Sequence, residues 1–487
     1  MILDNKNVLI YDDTIKPNKL IKKIVGNEDF SKIVYKRINF EERIRHEIDK
    51  LCFFNIKYSL YKSSDFKNLH PKCFTNNYQI FHLFSYAIIT NAIEFEFMMN
   101  KLVYSNFNVC IKDKGIPLLI YFANGVSYYN YLESYLESGI NKVDFSEIDN
   151  TCFCNISSYK DFIKFLSSGF DARYFNSLSG TEYTVVKSST NKTKMRSEYL
   201  YYSLIPDHMK KWCVFPYDYK ETEDSASYTM ERIFVTDMAI RWVHGAITMP
   251  EFNLFLKKIF YYIKTREKVL VSKEEYHKKM TQLYLYKLDE RINALKKEKN
   301  YKVIDSYIKV GTIYKDIDGI CDLYKSLYSK LTKDKKLNYF SVISHGDLCF
   351  SNILYDMETE TLKLIDPKGA LNAEDLWTDP FYDIAKLSHS ICGLYDYFNS
   401  GLYTINLDEN LKENLKLDIN SNVHQQFINL FKKKLEEEGF DYALVRLFES
   451  SLFLSMLPLH IDNPHKVFGF ILNAINILEE VQLCLKN

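Results

Sequence analysis

Neither sign of charge is in excess in this chain, where 63 basic residues balance 63 acidic ones over 487 positions. A protein with no net charge has no overall field to hold a polyanion, so nucleic acid is not the implied partner. Glycine and proline are few, at 15 and 10, and neither an internal repeat nor a low-complexity linker is visible. No glycine-rich phosphate loop stands near the N-terminus. Paired metal-ligand cysteine spacing is also lacking: the ten cysteines are scattered, and Cys152 and Cys154 form only a C-x-C, which fits small buried thiols in a reducing cytosol.

Long uninterrupted apolar runs are missing too. Ile80 to Met99 is the most apolar stretch, yet His82, Asn91, Glu94 and Glu96 break it. That is too polar for a membrane span and predicts a buried helix, with no membrane insertion. Met1 to Pro17 carries Asp4, Asp12 and Asp13 and lacks a basic region followed by an apolar one. Secretion is therefore not expected, and a cytoplasmic protein is.

What the chain does have is enough apolar material to fold throughout: 47% hydrophobic and 15% aromatic residues. Its length predicts two or three domains. Lys432-Lys433-Lys434-Leu435-Glu436-Glu437-Glu438-Gly439 reads as a solvated helix end closed by glycine.

Residues 1 to about 165 alternate apolar runs such as Val8-Leu9-Ile10-Tyr11 with helical patterns such as Phe40 to Cys52, which predicts an α/β layer domain. Asp12-Asp13-Thr14 follows a strand in the manner of aspartate-nucleophile phosphatases, but Ile10 stands where their attacking carboxylate belongs. Leu118 to Phe122 and Cys152 to Ile156 read as strands, the second followed by a helix over Ser158 to Leu166. This pattern resembles the end of sugar nucleotidyltransferases. Without a phosphate loop, it implies a degenerate or binding domain.

From about Asp171 the pattern becomes strand, turn, strand and helix. From Met249 it is mostly helical, with helices expected over Pro250–Lys264, Lys273–Lys297, Gln425–Glu438 and Tyr442–Leu457. A short β segment interrupts at about residues 340–366, which is the profile of two lobes.

The chemistry is concentrated there. Ser344-His345-Gly346-Asp347-Leu348-Cys349-Phe350-Ser351-Asn352 has the spacing H-x-D-x-x-x-x-N, and Leu362-Lys363-Leu364-Ile365-Asp366-Pro367 follows. Ile353–Tyr355 and Leu362–Ile365 flank a turn at Met357-Glu358-Thr359-Glu360, so they pair as an antiparallel hairpin that brings Asn352 beside Asp366. Adjacent strands lie about 5 Å apart, close enough for an amide oxygen and a carboxylate to share magnesium. Phosphoryl transfer needs a carboxylate to align the acceptor hydroxyl and oxygen ligands that hold magnesium on the phosphates. Asp347, Asn352 and Asp366 supply that set. His345 is expected to organise the loop rather than carry protons.

These residues resemble the aminoglycoside phosphotransferase and choline kinase superfamily, whose H-G-D-x-x-x-x-N and following I-D are matched residue for residue; the resemblance covers about residues 170–487. It implies Asp347 as catalytic base, with His345 in the same catalytic loop, Asn352 and Asp366 as metal ligands, and ATP and Mg2+ as cofactors. It further implies that Asp383, in Asp379-Pro380-Phe381-Tyr382-Asp383-Ile384-Ala385, supports the catalytic loop. A kinase needs a cation on the phosphates, and Lys187, ending the strand Tyr183–Lys187, is expected to pair with Glu198 on a helix over Lys192–Leu204. Tyr228-Thr229-Met230-Glu231-Arg232-Ile233 resembles the superfamily's last strand and hinge, where the backbone at Met230, Glu231 and Ile233 would hold adenine. Asn176 to Thr181, with one glycine, reads as the turn before the strand. Ile365-Asp366-Pro367 in place of D-F-G, with no A-P-E following, favours small acceptors over proteins. Trp242, Tyr395, Tyr397 and Phe398 read as core packing rather than a cage for quaternary ammonium.

The expected fold is α+β: a two-lobed protein-kinase-like phosphotransferase with an additional N-terminal α/β domain. Its expected divisions are 1–165, 166–245 for the small β-rich lobe, and 246–487 for the helical lobe. The expected function is ATP-dependent phosphorylation of a hydroxyl on a sugar, amino sugar or amino alcohol, with a surface-polysaccharide precursor step suggested by analogy. Two alternatives stay open: a non-catalytic module that binds nucleotide or a partner, and a bifunctional kinase and nucleotidyltransferase.

Overall fold

The computed structural model describes residues 6–51, 58–62, 75–138, 143–167, 176–333, 339–406, 415–421, 423 and 425–486. The chain divides into two compact units, Met1–Asp171 and Ala172–Asn487.

The first unit is built on a six-stranded sheet in the order Tyr58–Lys62, Asn7–Asp12, Gln79–Phe84, Ile116–Phe122, Val109–Asp113, Ser146–Asp149. Asn7–Asp12 runs parallel to both its neighbours, and Val8 to Tyr11 are fully buried, as a continuous apolar run requires of a central strand covered on both faces. Lys114 and Gly115 make the two-residue turn of the 109–122 hairpin with φ +50° and +81°, the positive pair that matches strand twist. Helices include Phe40–Lys50, Ala92–Leu102, Gly125–Ser138 and Tyr159–Ser167. Cys52, expected at the end of the first of these, lies outside the described residues, as does Asp171.

The helix expected over Ile80–Met99 is not one element. The segment forms the strands Gln79–Phe84 and Ala87–Ile89 and then the helix Ala92–Leu102. Continuous apolar runs do not distinguish a buried strand from a buried helix, and here pairing to Asn7–Asp12 decides it.

The second unit opens with an antiparallel sheet ordered Asn176–Ser179, Thr184–Ser189, Ala226–Glu231, Pro216–Glu221. Asn176–Ser179, expected as part of a turn, is its edge strand, in register with Ser189 to Val186. The helix Lys192–Leu204 follows, its N-terminus capped by the Asn191 side chain accepting from Lys194 N at 3.0 Å. The rest is mainly helical and shares one apolar core, drawn from Met249–Thr265, Ile317–Lys333, Tyr382–Ile391, Tyr442–Ser455 and Pro464–Cys484. The single helix expected over Lys273–Lys297 is divided into Lys273–Thr281, a π turn at Gln282–Tyr286 and Lys287–Leu295.

Pro464–Cys484 is long and apolar enough to cross a membrane by length and composition. It packs most extensively on Tyr442–Ser455, burying Val467, Phe470, Ile471, Ala474 and Leu478 within the unit. Trp242, Tyr397 and Phe398 are buried in the same core.

Candidate active site

The alternating burial of Thr184–Ser189 turns Lys187 inward, opposite Tyr228 of the neighbouring strand. Its Nζ lies 2.7 Å from Glu198 Oε2 and 2.9 Å from Asp366 Oδ1. Tyr228 donates its hydroxyl to the same Glu198 oxygen at 3.1 Å. Burial alone pushes the Lys187 ammonium down, but the Asp366 and Glu198 carboxylates outweigh it and hold the lysine charged. One cation thus ties the sheet, the following helix and the end of the hairpin together.

The hairpin forms with Ile353 opposite Leu364 and Asp356 opposite Thr361. Beyond its open end, Ile365 N donates to Asn352 O at 3.0 Å, so Asn352 and Asp366 flank adjacent positions of the two strands. Asp366 has φ +55°, the left-handed turn by which the chain leaves the strand.

Asp347 lies on the loop before the hairpin. Asn352 Nδ2 donates to its main-chain oxygen at 2.9 Å and to its Oδ2 at 3.1 Å. Lys386, on the helix Tyr382–Ile391, places Nζ 2.9 Å from its Oδ1. Burial pushes the Asp347 carboxyl up, yet the charge and hydrogen bond of Lys386 outweigh it and keep it below the usual carboxylate range.

The loop itself is held by Asp383. Its carboxylate accepts from His345 N at 3.0 Å and Gly346 N at 2.8 Å, and Arg266 binds it at 2.9 Å. Lys368 N donates to His345 O at 2.9 Å. Gly346 has φ +79°, and a Cβ there would stand 2.6 Å from Lys368 Cβ, so no other residue fits. The His345 ring is buried edge-on against Tyr201, 6.5 Å between centroids, and burial lowers its pKa. The contacts that shape the loop are made by the His345 backbone.

Asn352 and Asp366 can be tested as magnesium ligands. The Asn352 amide spends its N–H groups on Asp347, which leaves its carbonyl oxygen as a donor to a cation. Asp366 spends one oxygen on Lys187. Among the described residues no group of three or more His, Cys, Asp or Glu forms a cage. Two protein oxygens suit an ion that completes its octahedron with waters and nucleotide phosphates, so the residues fit Mg2+ bound together with a nucleotide.

Met230, Glu231 and Ile233 stand where the small sheet hands over to the helices. Ala226–Glu231 is paired on both sides, and the Arg232 guanidinium folds back to Thr184 O at 3.1 Å. Met230 joins Tyr228, Val214, Pro216, Leu364 and Ile365 around a narrow slot that Glu198 and Asp366 also line. Glu231 is exposed and Ile233 half-buried. The structure brings Lys187, Glu198, Asp366, Asn352 and Asp347 into one connected set and leaves these three at its edge.

Several site residues escaped the sequence reading. Lys386 lies one helical turn after Asp383, a spacing that puts both on one helix face, but nothing local aims it at Asp347. Gly369, φ +83°, would put a Cβ 2.5 Å from the Ser197 backbone, and Ala370 N donates to Ser197 O at 3.1 Å. The segment after Asp366 is thereby docked on the helix that carries Glu198.

No family model and no curated protein matches the chain. Among solved structures, it is similar to aminoglycoside phosphotransferase APH(4)-Ia in ternary complex with AMP-PNP and hygromycin B, at 12% identity and TM-score 0.36 over 65% of this chain and 97% of that one. It is similar to glucosamine kinase in complex with glucosamine, ADP and inorganic phosphate, at 13% identity and TM-score 0.39 over 64% and 81%. The GDP complex of aminoglycoside 2'-phosphotransferase-IIIa is a third, at 12% identity and TM-score 0.36 over 64% and 90%. Scores this low decide nothing about the chemistry of the site, which has to be read from its own residues.

Proposed function

We propose that the second unit transfers the γ-phosphoryl group of ATP to a hydroxyl of a small molecule. The observation that carries this reading is the double ion pair of Lys187 with Glu198 and Asp366, formed beside an ionised Asp347 that Asn352 and Lys386 hold in place. A buried lysine between two carboxylates is a costly arrangement for stability alone, because desolvation opposes the attraction. It is well suited to a site where an incoming phosphate chain takes over part of the cation.

Lys187 binds phosphate oxygens, Glu198 keeps its ammonium aimed, and the backbone at Met230 to Ile233 receives the base. Asn352 and Asp366 would hold Mg2+, which supplies charge neutralisation on the phosphates when bound. Asp347 aligns the acceptor hydroxyl and takes its proton as the phosphoryl group arrives. Acceptors in view are a sugar, an amino sugar or an amino alcohol, and a precursor of a surface polysaccharide in the cytoplasm is the setting in which we place the reaction.

The test is magnesium-dependent ADP release over a panel of these acceptors, comparing the intact protein with Asp347→Ala. Acceptor-stimulated release that falls about 10²–10⁴-fold in the variant supports the reading. Tight ATP binding without turnover on any acceptor would instead favour a nucleotide-binding module.

A further inference from the structure

Three lysines from three separate segments reach the loop that carries Asp347 or the helix start that anchors it. Lys386 binds Asp347 directly at 2.9 Å. Lys368 lays its stem over Gly346: an added Cβ would meet its Cβ, Cγ and Cδ at 2.6, 3.5 and 3.3 Å. Lys287, the first residue after the π turn, donates to the Tyr382 hydroxyl at 3.0 Å and lies 5.2 Å from the centre of that ring. Tyr382 in turn precedes Asp383, whose carboxylate holds the loop amides. Burial pushes the Tyr382 phenol up, but the charges of Lys287, Lys386 and Lys368 outweigh it and leave it below its ordinary range.

The carboxylates nearby are already occupied. Asp347 is taken by Lys386, Asp366 by Lys187 and Asp383 by Arg266, while Asp379 accepts from the Tyr276 and Tyr284 hydroxyls, each at 2.9 Å. Among the described residues neither Lys287 nor Lys368 has a carboxylate within ion-pair distance. Two cations without a protein carboxylate, one on the Tyr382 hydroxyl and one across Gly346 next to Asp347 in sequence, are an arrangement for binding an anion. The π turn that delivers Lys287 is the kind of helix defect that recurs at functional sites.

We propose that the acceptor carries an anionic group, carboxylate or phosphate, that Lys287 and Lys368 bind with the Tyr382 hydroxyl while its own hydroxyl meets Asp347. This rests on the phosphotransfer reading and narrows it: the preferred acceptor is an acidic hydroxyl compound, and a cationic amino alcohol is disfavoured.

The experiment compares Mg-ATP turnover by the full chain on gluconate, glucuronate and glycerophosphate against glucose, glucosamine and glycerol. Lys287→Met and Lys368→Met are measured alongside, with ATP affinity determined separately for each. Acidic acceptors should exceed their uncharged parents in kcat/KM by about ten- to a hundredfold, the value of one or two charge-assisted hydrogen bonds. Both variants should lose that advantage through KM, with ATP affinity kept. The carboxylates and glycerophosphate separate the two sources of charge. Equal turnover of neutral or amine acceptors overturns the anion site and leaves the kinase intact, and so does an equal loss of ATP affinity, which would assign the lysines to the nucleotide. If no acceptor turns over, thermal shift of the ATP-saturated protein decides. Stabilisation by the acidic probes that both variants abolish upholds the anion site while the kinase reading fails, and a shift that is absent or unchanged in the variants overturns it.

Discussion

Each unit of this protein places an aspartate cluster near the end of a strand, and the two clusters are finished differently. In the first unit Asp12 closes the strand Asn7–Asp12. It accepts from Thr14 N at 2.9 Å and Thr14 Oγ1 at 2.5 Å, and pairs with His82 Nε2 at 3.0 Å. His82 Nδ1 meets the Tyr128 hydroxyl at 3.1 Å. The Asp12 side chain is 10% exposed and that of His82 7%. In the second unit the side chains of Asp347 and Asp366 remain 40% and 38% exposed, although Lys187 is buried and Lys386 largely so. A closed network stabilises, because every polar atom it removes from water is repaired. An open one keeps lone pairs for something that is not protein. The sequence signal Asp12-Asp13-Thr14 thus marks a structural latch, with Ile10 buried in the sheet, while His345 to Asp366 marks the site we propose.

Substitutions can break this contrast, beginning with the largest effect. Asp347→Asn should lower kcat by about 10²–10⁴-fold, whereas Asp12→Asn should leave kcat unchanged; steady-state ADP release measures both. Lys187→Met should reduce kcat by about 10²–10³-fold, the cost of losing one oriented electrostatic contact, and Lys187→Arg should not restore it, since a guanidinium does not fit between Glu198 and Asp366 at these distances.

His82→Ala should destabilise the first unit by about 1–3 kcal/mol by stranding a buried carboxylate, as read by urea denaturation, with kcat untouched. The same latch predicts an acid sensitivity. Burial raises the Asp12 carboxyl, but His82 and Thr14 outweigh it and lower it from 3.8 to about 2. A depressed pKa contributes stability above the unfolded value and loses it as pH falls through the folded one. The contribution of Asp12 should therefore fade between about pH 4 and pH 2, and should be smaller in His82→Ala, where only Thr14 still lowers the carboxyl.

The smallest expected effect sharpens the comparison from the other side. Lys386 keeps the Asp347 carboxyl low, so the acid limb of kcat should lie below the ordinary carboxylate range. Lys386→Met should move that limb up by about one pH unit while Lys386→Arg holds it, a displacement of the pH profile that a purely packing role would not produce.

Much of the second unit was legible before folding. Four polar residues at set spacing around two short apolar strands leave few arrangements other than a hairpin with Asn352 and Asp366 at its mouth. Three-to-four periodicity marked Met249–Thr265 and Tyr442–Ser455 to within two residues. The first unit was harder. The apolar run from Ile80 gave no periodicity to separate strand from helix, and the edge strand Asn176–Ser179 was hidden by turn-forming residues. The π turn at Gln282–Tyr286 left no mark, since the apolar pattern continues through it.

Local order along the chain was enough to specify the loop from His345 to Asp366, the strand lysine ahead of the helix glutamate, and the helices that bury Trp242 and Phe398, because each depends on neighbours within a few turns or one hairpin. Which of the chain's many lysines reach Asp347, Gly346 and Tyr382 was decided only by tertiary structure. Lys368 needs a glycine at 346 to lie across, Lys386 needs its helix anchored by Asp383, and Lys287 follows directly on the π turn. None of these conditions can be read from the spacing of the lysines themselves.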